Sequence, residues 1–261
     1  MTDPVSFGQV KVEIDAGVMT ITLARPEKKN ALSNAMYGVL ADSLEAAEAD
    51  PAVRVVVIQA DGDSFTAGND LQDFAAQATG AFTGERHVLR FLKALANATR
   101  PLVAAVQGQA VGVGTTMLLH CDLVFVTPDA RLTTPFVNLA LVPEAASSWL
   151  LPARIGHARA YAMFALGEAV DGATAVAWGL ANGSAELGDL RARARAAADQ
   201  LAKRPLGALT VTKRLMRDAE KIAALMDTEG AEFAARLQTA EAREAFMAFA
   251  ERRAPDFSKV G

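Results

Sequence analysis

The sequence predicts an α/β fold of stacked strand–helix units followed by a helical C-terminal region. Short β-branched runs alternate with helical segments through the first half of the chain. Two glycine-rich stretches, 62–70 and 108–116, each follow a strand pattern. After Leu141 the strand patterns give way to helical periodicity. With 261 residues, 51% hydrophobic and 21% charged, the chain has the material for one large domain, or one domain with a helical appendage.

The elements follow in order. Val10, Val12 and Ile14 lie at period two, as do Met19, Ile21 and Leu23, with the turn signal Asp15-Ala16-Gly17 between them. That pattern predicts a hairpin. Ser33 is placed to cap a helix running to about Asp50, which Pro51 ends. Val53 to Ile58 reads as a buried strand. Residues 71–86 have weak periodicity, and a helix is expected over about Glu85 to Ala98. Leu102 to Val106 is a second buried strand, followed by an apolar helix from Thr115 to His120 and a short strand from Leu123 to Val126. Helices are then expected over Ser147–Leu151, His157–Leu166, Gly172–Trp178, Glu186–Lys203, Gly207–Arg217 and Lys221 to about Arg252.

The formal net charge of −4 does not suggest a nucleic-acid surface. The one cysteine, Cys121, sits in an apolar run and reads as a buried structural thiol. The three histidines, His87, His120 and His157, are scattered and form no metal-ligand or Ser/His/Asp pattern. No apolar stretch reaches membrane-spanning length, and the N-terminus lacks a basic-then-apolar signal. The expectation is a cytoplasmic enzyme.

Two stretches can carry chemistry. Ser64-Phe65-Thr66-Ala67-Gly68-Asn69-Asp70-Leu71 follows a strand and its turn. Gly108-Gln109-Ala110-Val111-Gly112-Val113-Gly114-Thr115-Thr116 joins a strand to a helix, whose first N–H groups favour negative charge. Glycines allow a ligand to approach the main chain. Each stretch alone is equally an ordinary tight turn.

Together they resemble the enoyl-CoA hydratase/isomerase, or crotonase, superfamily. Arg25-Pro26 through Asn30-Ala31-Leu32 looks like its first signature. Ala67-Gly68-Asn69-Asp70-Leu71 resembles A-G-x-D-[LI], and the 108–114 turn resembles G-x-A-x-G-G-G. Gly156-x-x-Arg159-Ala160 and Ala177-x-Gly179-Leu180 match later landmarks, so the resemblance spans nearly the whole chain. It implies the crotonase fold of stacked β-β-α units with a C-terminal helical region: a core over residues 1–200 and a helical trimerisation region over 201–261. It implies assembly as a homotrimer or dimer of trimers, and an acyl-CoA thioester substrate that carries its own coenzyme A, with no further cofactor and no metal.

The resemblance also implies an oxyanion hole made by the backbone N–H groups of Asn69 and Val113, the latter standing where glycine is usual. Such donors stabilise the enolate oxygen formed when a thioester loses an α-proton. Hydratases of this family use two glutamates; matching the turns places Thr116 and Phe136 there, and neither can act as a base. The stretch Thr134-Pro135-Phe136 through Pro143-Glu144-Ala145-Ala146-Ser147-Ser148 is instead similar to the Δ3,Δ2-enoyl-CoA isomerase branch, whose catalytic glutamate falls on Glu144. Ala145 departs from the branch's glycine. Read apart from the family, Glu144 is a solvated glutamate favoured by the following helix dipole.

By the same resemblance, Lys28, Lys29, Ala67, Asp70 and Leu71 border the nucleotide and pantetheine, and Phe136 lines the acyl site. Lys213, Arg252 and Arg253 are further candidates for the nucleotide, and His87 for an additional acid or base. The alternatives are another crotonase-family reaction (hydration, hydrolysis, decarboxylation) and a catalytically silent acyl-CoA-binding protein.

Overall fold

A seven-stranded sheet organises the chain in the computed structural model, which describes residues 5–7, 9–70, 73 and 84–260. Strands β1 (Val5–Phe7), β2 (Val10–Asp15) and β3 (Val18–Leu23) run antiparallel as a meander. The register Asp15↔Val18 closes the expected hairpin across Ala16 and Gly17, both at positive φ. Strands β4 (Val55–Ala60), β5 (Leu102–Val106), β7 (Leu123–Val126) and β10 (Gly183–Ser184) then add in parallel, beside β3. A smaller sheet of β6 (Gln109–Val111), β8 (Arg131–Thr133) and β9 (Val170–Asp171) lies over the carboxyl ends of this array. Parallel strands need helical crossovers, and the chain supplies them.

The first crossover is α1 (Asn34–Ala49), with Ser33 accepting the Met36 N–H at its cap. The second is α2 (His87–Asn97). Both cover one face of the sheet, where Leu40, Leu44, Phe91 and Leu95 pack on Ile21, Val56, Ile58 and Leu102. Val55, Val57, Val103 and Phe125 point the other way, onto Leu190, Ala194 and Ala198 of the helix Leu187–Ala202. Burial on both faces is why β4 is apolar at four successive positions, Val55 to Ile58, rather than alternating. Cys121 is buried as expected, and burial pushes its thiol up to about 12.

The remaining helices are α3 (Val113–Thr116), which continues as a tighter turn over Met117–His120, then α4 (Ser147–Ile155), α5 (His157–Tyr161), α6 (Gly172–Trp178), α7 (Leu187–Ala202), α8 (Leu206–Met216), α9 (Ala219–Leu237) and α10 (Ala240–Ala250). The single long helix expected from Lys221 to Arg252 is therefore two. Thr239 breaks it by capping α10: its side chain accepts the Ala242 N–H and its hydroxyl donates to the Arg236 carbonyl. Strands β1, β6, β8, β9 and β10 are two or three residues long, and were missed because such lengths carry no periodicity. Most of residues 71–83, including Leu71, lie outside the described residues. No helix among the described residues is long and apolar enough to cross a membrane.

Asn30 ties these layers together. It is fully buried at a φ of 53°, a left-handed conformation that asparagine tolerates. Its side-chain amide donates to the carbonyls of Asp61 and Ser64, each at 2.8 Å, and its Oδ1 accepts the Arg25 N–H at 2.8 Å. The ends of β3 and β4 and the start of the first glycine-rich loop are thus joined by one side chain. Asn30→Ala breaks all three bonds and leaves two carbonyls unsatisfied. We expect a loss on the order of 3 kcal/mol in urea unfolding; a loss below about 1 kcal/mol, the size of a single exposed hydrogen bond, contradicts this account.

Candidate active site

The two glycine-rich loops are zipped together by main-chain hydrogen bonds. The Phe65 N–H donates to the Gln107 carbonyl (2.8 Å), the Thr66 N–H to Gln109 (3.0 Å), and the Val111 N–H returns to Thr66 (3.1 Å). Thr66 pairs with Ala110 and Asn69 with Leu32 as short parallel bridges. The buried Thr66 hydroxyl donates to the Asn30 carbonyl at 2.7 Å and accepts the Gly68 N–H at 3.1 Å. Gly114 lets this happen: a Cβ there would stand 2.4 Å from the Thr66 methyl.

The pairing joins the loop that carries Asn69 to the turn that leads into Val113. Neither backbone N–H donates to an acceptor among the described residues, whereas the flanking Gly112, Thr115 and Thr116 N–H groups are all engaged. Val113 opens α3 with a negative φ, so it needs no glycine. Gly112 before it takes the turn, with φ 56° and ψ −115°, a region closed to other residues.

Glu144 reaches the same place from the loop between β8 and α4. Its carboxylate accepts a hydrogen bond of 2.5 Å from the hydroxyl of Thr116, one turn after Val113 and fully buried. Glu144 keeps part of its surface open to the cleft, and protein surrounds it otherwise. Burial raises its pKa to about 7, with a further push from the charge of Glu229 and an opposing pull from the Thr116 hydrogen bond. The residue is not a helix-dipole partner. That part is played by Glu229 of α9, whose carboxylate accepts the Ala146 and Ser148 N–H groups at the start of α4.

Tyr37 of α1 completes the group. Its hydroxyl donates to the Asn69 side-chain oxygen at 2.5 Å. Burial, and then the nearby Glu144 charge, hold its pKa well above the ordinary phenol value. Neither Tyr37 nor Glu229 stands out in the sequence. Both sit within ordinary helical patterns, and only the packing of α1 and α9 brings them here.

A cleft of about 350 Å³ contains Glu144, Asn69 and Tyr37. Leu92, Met226, Phe233 and Leu237 supply apolar walls between α2 and α9, with Asp70, Asp73, Arg86 and Lys93 as charged lining. A larger groove over α1 and α2 touches neither Asn69 nor Glu144 and is a surface feature.

The other candidates fall variously. Lys28 and Lys29 are exposed; the Lys29 ammonium pairs with Asp63 at 2.5 Å, while its carbonyl accepts the Ala67 N–H, so this turn abuts the first loop. Asp70 lines the cleft and is paired with Arg25 at 2.5 Å. Phe136 is buried against Phe164, and its ring edge is 4.0 Å from where a Gly112 Cβ would be. Lys213 is not a nucleotide contact: it is buried, paired with Asp122 at 2.8 Å and bonded to the Arg100 carbonyl. Arg253 is engaged by Glu244 and Glu251. His87 packs on Gly38 of α1 and is not part of the cleft lining.

Comparison with known proteins agrees with this architecture. The enoyl-CoA hydratase/isomerase family model matches residues 13–260. The 1,2-epoxyphenylacetyl-CoA isomerase of Escherichia coli is 31% identical, over 94% of this chain and 96% of its own. Enoyl-CoA delta isomerase 2 of Rattus norvegicus is 31% identical, over 94% of this chain and 64% of its own. Among solved structures, an enoyl-CoA hydratase/isomerase from Pseudoalteromonas atlantica superposes with a TM-score of 0.91 at 42% identity, covering 95% of this chain and 99% of that one. OdaA of Pseudomonas aeruginosa superposes at 0.88 with 45% identity, covering 93% and 98%. With its sheet, its paired glycine loops and this match along almost all of its length, the chain belongs to the enoyl-CoA hydratase/isomerase, or crotonase, superfamily of acyl-CoA enzymes.

Proposed function

We propose that the protein isomerises 3-enoyl-CoA to 2-trans-enoyl-CoA, with Glu144 as its single base. The observation that carries this reading is the Glu144 carboxylate, hydrogen-bonded to Thr116 beside the second glycine loop and raised to about 7 by burial. A carboxylate with that pKa can both take and return a proton near neutral pH. The positions where hydratases carry their two glutamates hold Thr116 and Phe136, a hydroxyl and an apolar ring.

Ionised Glu144 removes a C2 proton. The thioester oxygen gains charge and rests between the Asn69 and Val113 N–H groups. Each such donor contributes about 3–4 kcal/mol of barrier lowering, because it binds the developing oxyanion better than the neutral carbonyl. The now protonated Glu144 delivers the same proton to C4, and the double bond moves. Coenzyme A enters with the substrate, and the scheme requires no other cofactor. In this reading Lys28, Lys29, Ala67, Asp70 and Leu71 border the coenzyme A moiety, and Phe136 keeps water from the acyl face.

Residues 201–261 are proposed as the trimerisation region of a homotrimer or dimer of trimers. Leu215 and Met216 of α8 are 80% and 83% exposed, which favours a covering partner. A solution mass three or six times that of one chain is expected, falling towards the monomer in Leu215→Glu/Met216→Glu. A monomeric wild type rejects this assembly.

The catalytic reading is tested with 3-enoyl-CoA and 2-enoyl-CoA side by side. Double-bond migration should dominate over hydration, and Glu144→Ala should lose about 10²- to 10⁴-fold in kcat. Robust hydration, or full isomerisation by Glu144→Ala, overturns it.

Acidity gives a separate test. The base must start ionised, so kcat/KM should fall below a midpoint near 7. Because the folded pKa lies above the ordinary 4.5, the native state holds an extra proton between the two values, and stability falls as pH rises through that window. Glu144→Gln should therefore melt higher than wild type at pH 8 and close to it at pH 4. A variant destabilised equally at both pH values argues against a raised pKa.

A further inference from the structure

The Glu144 loop has an unfavourable backbone. Ala145 and Ala146, directly after the base, have φ values of 62° and 56°. Left-handed conformations cost L-residues free energy, and neither position here has glycine's freedom. Something must therefore hold these two peptides in place.

Two groups do so from opposite sides. On the core side, His120 Nε2 bonds to the Ala145 carbonyl at 2.8 Å. The Arg217 guanidinium donates to His120 Nδ1, which leaves the proton on Nε2 to be donated to Ala145. Burial and then Arg217 push this histidine down to about 3, so it stays neutral. From the C-terminal region, Glu229 is only 7% exposed and accepts the Ala146 N–H at 2.6 Å and the Ser148 N–H at 2.9 Å.

Glu229 is one of three side chains with which α9 grips the segment before and after the base. Lys221 lies 4.2 Å over the Trp149 ring, and Arg236 donates to the Ala140 carbonyl at 3.0 Å. Positions 221, 229 and 236 recur about every two helical turns, so all three share one face. Glu229 itself is absent from the cleft lining, although Met226 and Gly230 beside it are present. We infer that Glu229 is a positioning residue, which holds the Ala145-Ala146 backbone left-handed and so aims the Glu144 carboxylate at the substrate. This rests on the reading of Glu144 as the base.

Few charged and titratable groups surround the loop. Glu144 faces Glu229 from α9 and Tyr37 from α1; Asp70, Asp73, Asp227, Arg86 and Lys93 line the same cleft; and neutral His120 stands behind Ala145. Among these, the charge that adds to burial in raising Glu144 is that of Glu229.

The test is Glu229→Gln, with Glu144→Ala as reference. The amide preserves shape but turns an NH₂ towards one of the two loop N–H groups and removes the charge. We expect kcat for 3-enoyl-CoA to fall about 10- to 100-fold, as for a misaimed catalytic group, with KM nearly unchanged and the acid-limb midpoint shifted downward. Ala146→Gly added to Glu229→Gln should recover part of the lost kcat, since glycine adopts the left-handed turn without help. If Glu229→Gln does not fold, Glu229→Asp carries the test: the charge stays but the reach shortens, so kcat falls while the midpoint holds. Wild-type kcat and midpoint in the folded Glu229 variants, or no recovery with Ala146→Gly, reject the positioning role while a dead Glu144→Ala leaves the base in place. A fully active Glu144→Ala removes the base and this inference with it.

Discussion

The site depends on a few backbone hydrogen bonds between residues 65–66 and 107–111. A backbone N–H can stabilise developing charge only if it is aimed beforehand and left unsatisfied by the protein. Those two demands conflict, because free polar groups near the interior are costly. Here the conflict is met by pairing most of the neighbours. Thr66 and Val111 bond across the loops, Gly68 bonds to the Thr66 hydroxyl, Gly112 donates to the Thr133 carbonyl of β8, and Thr115 and Thr116 donate back to Gly112, while among the described residues Asn69 and Val113 keep their hydrogens. Gly114 supplies the clearance for this contact, and Asn30 locks the first loop to the ends of the strands beneath it.

The proposed base is arranged on the opposite principle. Glu144 comes from a loop without regular structure of its own, held by Thr116 below, the His120–Arg217 pair behind and α9 above. Burial raises its proton affinity, and the nearby Glu229 carboxylate adds to that. Glu229 itself is stabilised as a carboxylate by two N–H groups, although burial still raises it overall. The C-terminal region is therefore joined to the site in two ways. It contributes Met226, Phe233 and Leu237 to the apolar walls of the cleft, and it contributes the carboxylate that caps α4.

Much of this was legible in the chain. The hairpin, the buried strands at 55–60 and 102–106, and helix Gly172–Trp178 follow from period, β-branching and turn residues. The two glycine stretches could be read because a turn that must accept φ 56° with ψ −115° leaves few residue choices. Ala145 shows where such reading ends. Its positive φ explains why glycine is the commoner choice there, but nothing local in Glu144-Ala145-Ala146 tells that alanine is tolerated. The compensation comes from His120 at the Ala145 carbonyl and from Glu229, more than eighty residues away, at the Ala146 N–H. The break at Thr239 was missed for a related reason: apolar spacing runs on through it, and the cap is a matter of side-chain geometry.

What the sequence by itself determined is the longer elements and the family: alternating strands and helices, the paired glycine turns, and a glutamate at the position where the family resemblance puts a single base. These depend on short-range constraints of backbone conformation and burial, which are written locally. Only the tertiary structure decided which groups meet. Among the described residues it left the Asn69 and Val113 N–H groups without partners; it also withdrew Lys213 into an ion pair with Asp122, and brought Tyr37 and Glu229 to the site. Those outcomes depend on contacts between distant segments, where the burial of one carboxylate is set by helices elsewhere in the chain.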